Sequence, residues 1–231
     1  MEFSPDHIVY YQKAFVSLNA TIVFTWGIIL FLVLFSWSVT RRLTSSTDFD
    51  FRQNLLEILV DGLLNQIRET TRQDPERFLP LLGTLFIFIL VSNILAVVPG
   101  FEPPTGSLST TAALALCVFF AVPYYGIRAH GLKNYLIGYI RPTPFMLPFN
   151  IVGELSRTFA MSVRLFGNIM SGSMMGSILL VLAPLFVPTI MDLLGLLIGV
   201  VQAYIFVVLA AVFIASGMES HLETTERQKK E

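Results

Sequence analysis

Glu154, Arg157 and Arg164 lie in 148–183, and Asp192 and Gln202 in 189–218, two long and mostly apolar stretches uninterrupted by proline. A charge at the centre of a bilayer costs from ~3 to more than 10 kcal/mol, so such a residue faces water or a partner. Arg164 is the sharpest case: a guanidinium stays protonated, and apolar sequence flanks it on both sides. At 100° per residue, Asn150, Arg157, Arg164, Asn168 and Ser171 fall within ~60° of one another around a helix. A polar stripe of this kind turns away from lipid, and the chemistry it suits is the movement of ions. Two plainer readings stand beside it. Arg164 also fits a structural arginine paired with a carboxylate, and Gly153, Gly167 and Gly172 fit simple close helix packing.

Other chemistry is poorly provided for. The lone cysteine, Cys117, sits in an apolar run, and the three histidines (His7, His130, His221) are scattered, so neither a metal site nor a disulfide framework is expected. No glycine-rich nucleotide loop of the G-x-x-x-x-G-K-[ST] kind occurs, and no cofactor is implied. The net charge of −1 gives no reason to expect a nucleic-acid partner.

The elements that must hold these residues are membrane elements. Hydrophobic residues make up 54% of the chain and charged residues 13%, with a mean hydropathy of +0.70. An all-α integral membrane fold follows, a single membrane domain over 1–231 with five membrane-crossing helices at 20–39, 78–98, 110–127, 148–183 and 189–218. Phe51, Leu55, Leu59, Leu63 and Ile67 recur every four residues among charges, which predicts an amphipathic interfacial helix over 50–70, on the membrane surface or under neighbouring helices. Residues 219–231 read as a polar cytoplasmic tail. As a helix, 148–183 is ~54 Å long against a core of ~30 Å, so it either breaks near a glycine or lies obliquely. The oblique form is preferred, with Pro184 and Pro188 turning it into a long tilted hairpin. Lys and Arg concentrate after the first and third spans and in the tail, placing the N-terminus outside and the C-terminus in the cytoplasm. The short tails and the lack of a presequence favour a bacterial plasma (inner) membrane.

The string SVRLFGNIMSG (162–172), followed by VQAYIFVVLAAVFIASGMESH (201–221), closely resembles subunit a of the rotary F-type ATP synthases. Supporting strings are GTLFIFILVSN, STTAALAL and YIRPTPFMLPFNIVGELS, and the resemblance covers roughly 50–221. It implies an ion-conducting stator subunit, non-catalytic by itself, with the c-ring proteolipids, the peripheral-stalk b subunits, the other ATP synthase subunits and membrane lipid as partners. Arg164 takes the position of the family's essential arginine, set against the ring between two offset half-channels, with Gln202 its neighbour on the last helix. A fixed guanidinium lowers the pKa of an arriving ring carboxylate, which then releases its ion, and the same charge blocks a direct leak. Lysine serves less well, because it can deprotonate when buried.

Departures from the family pattern matter as much. Ser173 stands where most members have a glutamate, Gly195 where some have a histidine, and Ser107 and Ser109 where an Asp and an Asn are usual. Pairing Arg164 with Gln202 in an antiparallel hairpin puts residue 173 opposite about residue 193, so Asp192 is expected to supply the missing carboxylate. It equally suits a helix start after Pro188. Arg157, a second buried arginine, occupies a position where lysine is usual; Glu154 either pairs with it or lines the cytoplasmic half-channel. Asn93, Asn150, Asn168, Ser171 and Ser173 complete the candidate half-channel lining. The coupling ion, H⁺ or Na⁺, stays open, as it is bound by the ring. A stand-alone secondary transporter is the alternative, but the inverted repeats it calls for are not found.

Overall fold

The computed structural model describes residues 9–13, 16–41, 51–71, 74–98, 100–133, 135, 145–182 and 187–219. The tail beyond Glu219 and much of the basic loop at 42–50 lie outside the described residues. Among the described residues six long helices carry the fold: α1 (Ala20–Thr40), α2 (Phe51–Thr71), α3 (Leu79–Leu95), α4 (Leu108–His130), α5 (Met146–Leu182) and α6 (Val187–Glu219). Ahead of them an antiparallel pair of short strands, β1 (Val9–Lys13) and β2 (Val16–Asn19), forms a hairpin that the hydropathy pattern did not single out.

Local chemistry sets the boundaries. Prolines fall in the first turn of α3 (Pro80), α5 (Pro148) and α6 (Pro188), where the missing N–H has no helical partner to lose. Pro123 lies inside α4 and is carried within a helix that runs on to His130. There Gly131, at φ +81°, donates its N–H to Ile127 O at 2.8 Å and ends the helix. The glycines of α5 do not break it: one continuous helix of 37 residues runs from Met146 to Leu182.

The core is built around α6, which packs against α3, α4, α5 and α2. Its buried face (Ala203, Phe206, Val207, Ala210, Ile214, Met218) meets Leu82, Phe86 and Ile89 of α3, Val118 and Val122 of α4, and Met161 and Leu165 of α5. Leu63 and Ile67 of α2 close the same cluster, so the amphipathic helix lies under its neighbours through its apolar face. Small residues allow close approach. A Cβ on Gly217 would stand 2.6 Å from Val122 Cγ1.

α1, α4 and α6 each contain a segment long and apolar enough to cross a membrane (Ala20–Ser38, Leu108–Ala129, Thr189–Met218), while α3 is a shorter apolar helix. The last two helices form a hairpin, and the end of α5 and the start of α6 project from this core. Beyond Leu165 in α5 and before Gly199 in α6, no described residue is buried.

Candidate functional site

The polar stripe of α5 lies on the open side of the molecule. Asn150, Arg157, Arg164 and Ser171 are exposed and Asn168 is half-buried, while Met161, Ser162 and Leu165 face inward. The surroundings of Arg164 are apolar and equally open: Phe159 is 67% exposed, Val163 40%, and exposed Leu197, Val200 and Val201 continue the surface onto α6. A guanidinium thus stands on a broad apolar face that no other described residue covers.

Gln202, one of the two residues expected at the exchange point, points inward at 7% exposed. Among the described residues no hydrogen bond joins it to Arg164. Asp192 and Ser173 are both exposed on the projecting part of the hairpin, and the Ser173 hydroxyl donates to Met170 O at 2.9 Å.

Glu154 and Arg157 line one small open pocket between α4, α5 and α6, together with Thr158, Phe213 and Ser216. The Arg157 guanidinium lies 5.5 Å from the centre of the Phe213 ring, a cation–π distance. Phe213 was not singled out in the sequence; an aromatic in an apolar helix carries no signal until its neighbour is known.

A second polar group is buried among α3, α4, α5 and α6. Asn93 Nδ2 donates to Gly199 O at 2.8 Å, and its Oδ1 accepts from Thr105 Oγ1 at 2.8 Å. Ser162 Oγ donates to Thr111 Oγ1 at 3.3 Å, and the Thr111 hydroxyl reaches Ser107 O at 3.2 Å. The Ser107 and Ser109 hydroxyls are 2.6 Å apart. Sequence reasoning singled out Asn93, as half-channel lining, and Ser107 and Ser109, as departures from the family pattern, but passed over Ser162 and Gly199. A glycine inside a helical pattern was the available signal.

The sequence model of the family described as ATP synthase A chain matches residues 22–215. The chain belongs to that family. Among its relatives, ATP synthase subunit a 2 of Acaryochloris marina is 56% identical over 219 residues, covering 95% of this chain and 94% of that one. ATP synthase subunit a of Albidiferax ferrireducens is 52% identical over 230 residues, covering 100% of both. ATP synthase subunit a 2 of a Picosynechococcus strain is 56% identical over 216 residues, 94% of this chain and 93% of that one. Membership of the ATP synthase A chain family makes the molecule a membrane-sector subunit associated with ATP synthesis and ion transport, with catalysis lying in other subunits.

Proposed function

We propose that this chain is the ion-conducting stator subunit of a rotary ATP synthase in a bacterial plasma membrane. It crosses the membrane five times, with its N-terminus outside and its C-terminus in the cytoplasm. It would work against a ring of c subunits and be held by the peripheral-stalk b subunits. One observation carries the reading: a permanently charged side chain, Arg164, stands exposed on an apolar face. Lipid is a costly neighbour for it, whereas a ring of proteolipids offering a carboxylate is a favourable one.

Each arriving carboxylate reaches lipid-facing positions only when neutralised by its ion. Beside the Arg164 guanidinium the ionised form is favoured by opposite-charge attraction, so the bound ion departs into one half-channel. Beyond the arginine, the carboxylate reloads from the other half-channel. Because the guanidinium stays charged, cations are repelled from the direct route between the two. Gln202 sits beside this exchange point on α6, and the open pocket holding Glu154 and Arg157 serves the cytoplasmic half-channel. On the other side Asp192 stands in for the acid absent at Ser173, with Asn168 and Ser171 along the same path.

The test is ATP-driven ion pumping in vesicles carrying the assembled complex, wild type beside Arg164→Ala, with and without Na⁺. Loss of pumping in an intact complex is expected, and the Na⁺ dependence names the ion. Full pumping by the variant overturns the reading.

A further inference from the structure

Asn93 was expected to line a half-channel, and its surroundings assign it different work. The residue is 2% exposed, and both ends of its amide are engaged within the protein. The nitrogen donates to the main-chain carbonyl of Gly199 in α6, and the oxygen accepts from Thr105 in the turn at Pro104–Gly106, each at 2.8 Å. The carbonyl of Gly199 also takes its ordinary helical bond from four residues on, so the amide is a second donor on one acceptor. The fit is close: a Cβ on Gly199 would lie 3.0 Å from Asn93 Cβ. At this burial the amide offers its remaining N–H and lone pair little access to a passing ion or water.

The place of this contact along α6 gives it meaning. Gly199 is the first buried residue of that helix, with only exposed or half-buried described residues from Val187 to Ile198. Gln202 follows three residues later, one turn on. α3 therefore grips α6 at the point where the hairpin leaves the core, immediately before Gln202.

We infer that Asn93 is a positioning residue: by tying α3 and the 104–106 turn to Gly199 O, it fixes the height of Gln202 relative to Arg164. The inference rests on the proposed exchange between Arg164 and a ring carboxylate, and its tests separate the two. Asn93→Asp keeps the size and the acceptor for Thr105 but sets a second acceptor against Gly199 O. Measured in the assembled complex, it is expected to lower ATP-driven pumping about tenfold, as loss of a buried donor implies. In a Gln202→Ala background, the same change is expected to cause no further loss, because the height it disturbs no longer serves a side chain. Effects that multiply, as for two independent sites, overturn the inference.

The second measurement does not depend on the Arg164 reading or on the aspartate variant assembling. In a Cys117→Ala background, Asn93→Cys in the intact complex is treated with a membrane-impermeant, water-borne thiol reagent from each side in turn. No labelling is expected. Labelling from either side makes residue 93 part of an aqueous path and overturns the positioning role. Full pumping by Arg164→Ala would remove the exchange mechanism while leaving the labelling result standing on its own.

Discussion

Gly217→Ala probes a close helix–helix approach in the core. The added Cβ would lie 2.6 Å from Val122 Cγ1, whereas carbons rest at ~3.5–4.0 Å, so roughly 1 Å must be recovered. Val122 cannot simply swing aside: it is buried in α4, and a β-branched side chain in a helix has one strongly preferred rotamer. The helices must therefore part or the side chain must leave its rotamer, at a cost of ~1–3 kcal/mol. For a chain of this size that corresponds to about 2–12 °C in midpoint, read by heating the assembled complex in detergent and following release of this subunit. Val122→Ala alone removes two methyl groups, at about 0.8 kcal/mol each. Combined, the new methyl occupies part of the vacated space, so the double variant should be more stable than the sum of the singles by roughly 0.5–3 kcal/mol. An unchanged midpoint for Gly217→Ala, or additivity within ~0.5 kcal/mol, would refute the contact.

Asp192→Asn should impair ion flux and coupling if that carboxylate replaces the acid absent at Ser173; wild-type flux and coupling would end the idea. Tyr204→Phe removes the hydroxyl that donates to Gln66 Oε1 at 2.6 Å, a bond between α6 and α2 worth ~0.5–1.5 kcal/mol. Faster amide hydrogen exchange in α2 is expected, with unchanged exchange refuting the tie. Phe213→Leu takes away the ring beneath Arg157, a loss of ~0.5–2 kcal/mol; the same midpoint shift should not recur when it is introduced into Arg157→Met, whereas equal shifts in both backgrounds would show that the ring acts alone.

Much of the helical layout was legible because membrane helices announce themselves by composition and by proline and glycine punctuation. The continuity of α5 followed from the absence of an internal proline, and the burial of Leu63 and Ile67 from a four-residue apolar period. Contacts between elements were less legible. The bond from Asn93 to Gly199 joins residues 106 positions apart, and neither type declares its partner in advance. The same holds for Arg157 over Phe213. The strands at Val9–Lys13 and Val16–Asn19 escaped notice because a short hairpin leaves a far weaker periodic signal than a membrane helix.

The open face around Arg164 has a consequence for how the molecule comes to exist. A chain inserted alone would present that guanidinium to lipid at a cost of ~3 to more than 10 kcal/mol, comparable to the whole ~5–15 kcal/mol that holds an ordinary protein together. Solitary copies should therefore be short-lived, and the subunit's abundance should follow the supply of the surface that covers it. The buried part of α6, from Gly199 on, is held by α3 and α4 within the chain, whereas the hairpin's exposed part is left for a neighbour to cover.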